Sequence, residues 1–309
     1  MGSNHVRVYS ELKSCEVVGV VDSSEEALKK VKEKFGFETF RDMESLFKKH
    51  KVDAATVAVP TSMHFAVAKE LIGRGINVLI EKPLADKVED AEVLVKIAKE
   101  KNVKIAVGHI ERFNPMVQRV KSILDTIPKK DIFYISTHRL NPEGRTKDSA
   151  ITDLSTHDID VMRYLIGEDV VKIEADAVIH DGIPKRVVAT LDFGNGIKGM
   201  INSSLLHPLK KRELSIEGKD IVIEGNYQTQ EINVYRKKNL SEKSNGLGSI
   251  EYEILRPTVI RAEPLKLELQ DFLDAILKNR EPLVNGEEGL KNLRVALEIE
   301  RVAKKRNSV

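Results

Sequence analysis

The chain has 309 residues, enough for one large domain or two ordinary ones, and its 41% hydrophobic and 32% charged residues exclude a disordered protein. A formal net charge of +2, with no run of like charge, argues against a nucleic-acid partner. No apolar run has membrane-spanning length, no signal peptide is recognisable, and the single Cys15 suits a buried structural thiol better than a nucleophile, so a cytoplasmic protein with no membrane partner is expected.

The opening stretch, MGSNHVRVYSEL, reads as a helix with no strand ahead of it. EVVGVVD (16–22) is a short apolar run ending in an acid, which suits a buried parallel strand. SEEALKKVKEKFG follows as a helix with Ala27, Leu28, Val31 and Phe35 on one face, Ser24 placed to cap its start and Gly36 its end. DAATVAV (53–59), NVLIE (77–81) and KIAVGH (104–109) are further buried strands. The helices SMHFAVAKELIGRG, ending near Gly75, and KVEDAEVLVKIAKEKN separate them. This alternation predicts an α/β domain of Rossmann type, a doubly wound parallel sheet covered on both faces.

Beyond about residue 120 the rhythm changes. FYISTHRL is a strand and ITDLSTHDIDVMRYLIG (151–167) a helix, and strand-like runs follow at 170–179, 186–193, 197–205, 211–218 and 220–224. Short turns such as FGNG and EGKD join them, which predicts a large, mostly antiparallel sheet. LKLELQDFLDAILKN and GEEGLKNLRVALEIERVAKK close the chain as helices. The expected domains are 1–118, which binds a dinucleotide, and 119–309, which binds substrate and associates with other copies.

Four motifs carry candidate chemistry. Asp22 ends its strand 20 positions after Gly2, the spacing between the third glycine of a G-x-G-x-x-G turn and the acid that holds the adenosine ribose. An acid there favours NAD over NADP, because it repels a 2′-phosphate; the plainer reading is a glycine beside the first methionine and an ordinary helix cap. Pro60, Thr61 and His64 follow a strand at a helix amino terminus, where they could line a cofactor cleft, or His64 could be an exposed residue of a capped helix. Glu81, Lys82 and Pro83 end a buried strand, with Glu81 on one side of the pleat and Lys82 on the other. Lys82 could then donate to a substrate oxygen, or simply be a solvated strand-end lysine. Asp153 and His157, four apart on the predicted helix, share a face that Asp160 adjoins. A carboxylate one turn from an imidazole suits a general base, a solvated polar stripe is the alternative, and no Cys or third His is spaced to complete a metal site, so no metal is expected.

Taken in order, Gly-x-Asn-His opening a helix, P-T-x-x-H, E-K-P and D-x-x-x-H-x-x-D resemble the Gfo/Idh/MocA family of NAD(P)-dependent sugar and cyclitol oxidoreductases over nearly the whole chain. The resemblance implies a Rossmann domain followed by an α/β domain with a large open sheet, NAD as cofactor, a homodimer or homotetramer, Lys82, Asp153 and His157 as the catalytic group, and a cis bond before Pro83. It places Gly2, Asp22, Pro60, Thr61, His64, Glu81 and Lys82 around the cofactor. VGHIERFNP (107–115), DLSTHDIDVMRYLIG and HPLKKREL (207–214) look like the nucleotide-sugar branch, especially UDP-N-acetylglucosamine 3-dehydrogenases, although His207 stands where that branch usually has an aromatic residue. Such a substrate needs cations for its diphosphate. Arg112, Arg139, Lys210 and Arg212 are the candidates, with Lys211 and Arg145 as further ones, and alternation lets Lys210 and Arg212 share a face. The alternatives are an inositol or free-sugar dehydrogenase and a non-catalytic regulator that binds NAD and sugar. In the usual order of a doubly wound sheet the first strand is central, and nothing precedes Gly2 to supply it. Met1 is therefore expected to be internal to a longer natural chain, whose upstream frame encodes that strand and the first two glycines.

Overall fold

The computed structural model describes residues 1–142, 149–238 and 251–306; Arg145 lies outside them. In chain order the first stretch is α1 (Gly2–Glu11), β1 (Val20–Val21), α2 (Glu25–Phe35), β2 (Thr39–Phe40), α3 (Met43–Lys49), β3 (Ala54–Val57), α4 (Thr61–Gly73), β4 (Asn77–Glu81), α5 (Val88–Lys101) and β5 (Ile105–Gly108). A 3-10 turn (Ile110–Phe113), α6 (Pro115–Leu124), β6 (Ile132–Leu140), a π turn (Ile151–Ser155) and α7 (Thr156–Ile166) follow. The remainder is β7 (Val170–His180), β8 (Ile183–Phe193), β9 (Lys198–Ser204), β10 (Lys211–Gly218), β11 (Ile221–Asn226), β12 (Glu231–Lys237), β13 (Tyr252–Leu255), α8 (Pro264–Leu277) and α9 (Gly286–Arg306). No described helix is long and apolar enough to cross a membrane.

Two compact units emerge, Met1–His109 with Glu263–Leu293, and Ile110–Ala262 with Arg294–Val309. The expected break at 118/119 falls inside α6, so the change comes earlier, at His109/Ile110. The segment around α8 returns to the first unit, because the Val107 amide bonds to the Val284 carbonyl at 2.9 Å and Lys266 pairs with Glu11 at 3.1 Å. A linear reading of periodicity has no access to these long-range contacts.

In the first unit, β3, β4 and β5 form one parallel sheet and β1 and β2 a parallel pair. The two sheets share no ladder among the described residues. The predicted strand at 16–22 contributes only Val20 and Val21 to pairing, and its partner at Thr39–Phe40 had no signal in the sequence. Val78, Leu79 and Ile80 of β4 are fully buried, as a continuous apolar run requires of a strand covered on both faces. The predicted ends of α2 are met: Ser24 Oγ accepts from the Ala27 amide at 3.3 Å, and Gly36 closes the helix at φ +71°.

In the second unit eight strands run in the order β13-β12-β11-β10-β6-β9-β8-β7, antiparallel throughout except between β6 and β9. Register explains the layering. Ala175, Ala189, Ile201, Thr137, Leu214, Gly225 and Ile232 lie side by side across seven strands, and all are buried. The neighbouring row, Asp176, Val188, Asn202, His138, Glu213, Asn226 and Glu231, is exposed or half-buried. Because side chains alternate along a strand, one face packs and the other stays open. Met116 and Val120 of α6, Ile159 and Met162 of α7, and Ile299 of α9 belong to the core on the packed side.

Candidate active site

The first unit gathers its chemistry at the carboxyl ends of its strands. α1 begins at Gly2 with no side-chain cap on its first turn, and a Cβ at Gly2 would come within 4.0 Å of the Ala58 Cβ. Asp22, just past β1, is exposed, and its Oδ1 accepts from the Ser24 amide at 2.8 Å. Uncapped amides and an exposed acid one strand away suit the diphosphate and ribose of a dinucleotide. Pro60 is exposed at the start of α4, and Thr61 is half-buried. His64 differs from its expected place in a cofactor cleft: it is 1% exposed, with Nδ1 2.8 Å from the Pro83 carbonyl and Nε2 3.0 Å from the Val59 carbonyl. Both nitrogens face backbone, which leaves neither for a cofactor. Glu81 is buried as well, its Oε1 2.6 Å from His5 Nε2. Lys82 is half-buried, and the Lys82–Pro83 bond is cis.

In the second unit the helix predicted over 151–167 has two parts, a π turn and then α7. The Thr156 amide reaches back to the Ile151 carbonyl, five residues away, and Ser155 Oγ donates to the Ala150 carbonyl at 3.3 Å. A hydroxyl inserted there widens the turn. Asp153 lies in the wide turn and His157 in the regular helix, so their four-residue spacing straddles the junction instead of marking one α-helical face. Both are half-buried.

Beneath them lies a network of buried charges. Arg139, 1% exposed, donates from Nη1 to Glu111 at 3.0 Å and from Nε to Asp158 at 3.1 Å, with its guanidinium 4.8 Å from the centre of the Tyr227 ring. Glu111 also accepts from Asn114 at 3.1 Å. Arg112, 3% exposed, pairs with Asp160 through two nitrogens, Nε at 3.0 Å. These contacts correct the expectation that Arg112 and Arg139 reach a substrate diphosphate, because their guanidinium groups are engaged by carboxylates in the interior. Burial works against the charge on Arg139, but Asp158 and Glu111 outweigh it and hold the group well above its ordinary range.

Arg212 stands directly opposite Arg139 on the neighbouring strand. Like charges so placed repel, and Glu111 Oε1, 3.7 Å from Arg212 Nη1, lies near both. Burial first, and then the Arg139 charge, pull Arg212 below its usual range, while Glu111, Asp158 and Asp153 pull it back. Arg212 therefore shares an electrostatic field with Asp153. Lys210 is exposed just before β10, and Lys211 pairs with Glu213 at 2.7 Å. The sequence reading gave no role to His5, Glu111, Asp158 or Tyr227, although the first three lie inside stretches it used, Gly-x-Asn-His, VGHIERFNP and DLSTHDIDVMRYLIG.

Residues 1–109 match the NAD-binding Rossmann fold of the oxidoreductase family, and residues 133–309 match its C-terminal alpha/beta domain. The chain belongs to the Gfo/Idh/MocA oxidoreductase family. It is an oxidoreductase whose cofactor is NAD. The UDP-N-acetylglucosamine 3-dehydrogenase of Acidithiobacillus ferrooxidans is 27% identical over 303 residues, 97% of this chain and 93% of that protein. A solved structure of that enzyme superposes with a TM-score of 0.87 at 25% identity, covering 98% of this chain and 94% of that one. The myo-inositol 2-dehydrogenase of Thermotoga maritima is 26% identical over 66% of this chain and 65% of its own length.

Removing one partner of a buried ion pair strands the others. Arg139→Met should destabilise the protein by roughly 3–5 kcal/mol in urea denaturation, because Glu111 and Asp158 lose their counter-charge. A loss under about 1 kcal/mol, as surface pairs give, would show that the network is solvated.

Proposed function

We propose that this protein is an NAD-dependent dehydrogenase that oxidises a secondary hydroxyl of a sugar, specifically the 3-hydroxyl of UDP-N-acetylglucosamine. The observation that carries this reading is the match, over nearly the whole chain, to a relative that bears this substrate in its name, whereas the inositol enzyme matches about two thirds. His157 takes the hydroxyl proton. Its Nδ1 is buried, which leaves Nε2 to receive that proton, and Asp153, in the turn before it, is assigned to favour the charged ring that forms. Lys82 donates to the same oxygen and stabilises the negative charge that grows on it as the carbon–oxygen double bond forms. Bound NAD supplies the hydride acceptor. Gly2, Pro60 and Thr61 flank that cofactor, and Asp22 holds the adenosine ribose.

Arg212, with Lys210, is assigned to the substrate diphosphate. A free sugar or inositol is the second reading, favoured by one observation: Arg112 and Arg139 are tied up in buried ion pairs and cannot meet a diphosphate. A regulator that binds without turnover would lack activity on every sugar. We assign the open sheet face, with Val178 and Val188 exposed, to self-association as a homodimer or homotetramer.

UDP separates the substrate readings. If the nucleotide is recognised, UDP should raise the melting temperature with concentration, by an equivalent of about 2.7 kcal/mol at a hundred times its Kd. No shift with UDP, together with NADH formation from myo-inositol, would establish the free-sugar reading. Lys82→Met and His157→Ala should each lower kcat by something like 10²–10⁴-fold with melting temperature retained. Near-normal turnover in either variant removes that residue from the mechanism. Asp22→Ala should weaken NADH by roughly 10- to 100-fold in fluorescence titration, the worth of hydrogen bonds to a charged group, while NADPH changes little. Equal losses for both would mean that Asp22 does not meet the 2′ position.

A further inference from the structure

Lys82 has a neighbour on each side that is held by a buried histidine. On one side His5, 3% exposed on α1, places Nε2 at 2.6 Å from Glu81 Oε1. Its Nδ1 has no hydrogen-bond partner among the described residues, so the Glu81 contact sets the ring's orientation. On the other side His64 on α4 reaches the Pro83 carbonyl through Nδ1 and the Val59 carbonyl through Nε2. Carbonyl oxygens only accept, so the ring donates from whichever nitrogen carries a proton. Each histidine is the fourth residue of its helix; α4 follows β3, and a Cβ at Gly2, where α1 begins, would lie 4.0 Å from that of Ala58 just past the same strand. Glu81 is enclosed further by β5. It pairs in register with Gly108, where a Cβ would come within 3.0 Å of Glu81 Oε2 and 3.1 Å of its Cα.

A buried imidazole is costly unless it is hydrogen-bonded, and each of these rings also satisfies buried acceptors, the Glu81 carboxylate for His5 and two backbone carbonyls for His64. What the two rings hold in common is the stretch 81–83, His5 through the Glu81 carboxylate and His64 through the Pro83 carbonyl. A long lysine side chain is directed by the backbone that bears it, and a misplacement of about 1 Å at a reacting group can cost a hundredfold in rate.

We propose that His5 and His64 are positioning residues for Lys82, gripping Glu81 and Pro83 so that the ammonium is held on the substrate oxygen. This rests on the reading that Lys82 touches that oxygen.

Variants of the full chain test it, with NAD and either UDP-N-acetylglucosamine or myo-inositol as substrate. His64→Asn keeps a donor where Nδ1 meets Pro83, and His64→Gln keeps one where Nε2 meets Val59. Positioning of Lys82 requires His64→Asn to retain most of kcat, and His64→Gln and His64→Leu to lose roughly ten- to hundredfold, with KM for NAD and sugar unchanged. His5→Gln should likewise recover what His5→Leu loses. A merely structural histidine would lower the melting temperature and the folded fraction of the Asn and Gln variants alike, with kcat per folded site unchanged. Equal kcat in those two variants, or wild-type kcat in both Leu variants, overturns the inference. If the wild type turns over neither substrate, the functional reading fails separately, and crystal structures of His5→Gln, His64→Asn and His64→Gln decide. Lys82 Cα displaced by more than about 0.5 Å in His64→Gln but not in the other two supports positioning, and Lys82 in place in all three overturns it.

Discussion

A guanidinium out of reach of water has to be met by carboxylates, and the second unit is assembled around that requirement. Arg139 sits on the packed side of β6, where taking an ion out of water costs several kcal/mol unless partners of good geometry are supplied. The partners come from two other elements, Glu111 from the 3-10 turn and Asp158 from α7. Asp160, two residues further on, is bound to Arg112. Positions two apart on a helix point roughly 200° away from one another, so two buried pairs on opposite sides fix the rotation of α7 about its axis. That rotation decides which residues remain for chemistry. Asp158 and Asp160 are turned into the interior, and His157, immediately ahead of them in sequence, stays half-buried.

The wide turn ahead of α7 belongs to the same constraint. A π turn closes its hydrogen bond over one residue more than an α-helical turn does, and such turns are frequent at functional sites. Here Ser155 holds it open by donating to Ala150 while lying 3.0 Å from Ser203 on β9. The turn that carries Asp153 is therefore tied to the sheet through Ser155 and Ser203, 48 positions apart in the chain. At the strand ends of the first unit the logic is similar, with polar groups buried among backbone carbonyls and one carboxylate. Interior polar contacts of this kind specify one arrangement more sharply than apolar packing does, since a half-made contact leaves a costly unsatisfied group.

Much of the fold was legible in the residues. The βα alternation of the first unit, the cap at Ser24, the stop at Gly36 and the strands predicted at 170–179 and 211–218 follow from local patterns of apolar spacing and turn chemistry. Elements with weak patterns were missed: β2 has two residues, α3 has seven, and β13 is exposed along its whole length. The site was legible only in part. Lys82 and His157 were marked by motifs, but Arg112 and Arg139 were read as ligands of a substrate diphosphate because arginine has the same local signature whether it meets a ligand or a distant carboxylate. His64 was placed beside the cofactor for the same reason, since its acceptors are backbone carbonyls that no side-chain pattern announces.

By itself the sequence determined the things that depend on near neighbours along the chain. These are the period of each segment, the places where helices start and stop, and the family motifs around Glu81, Lys82, Pro83, Asp153 and His157. Tertiary structure alone decided which segments lie side by side. It placed β6 parallel to β9 and antiparallel to β10, set Arg212 opposite Arg139, returned α8 to the first unit, and buried His5 against Glu81. The physical reason is one of range. Backbone torsions and the alternation of side chains are settled within a few residues, whereas desolvation of a charge is repaid by whichever group the fold brings within hydrogen-bonding distance. In this protein the groups that repay it are often far apart in sequence, 76 positions for His5 and Glu81 and 28 for Glu111 and Arg139.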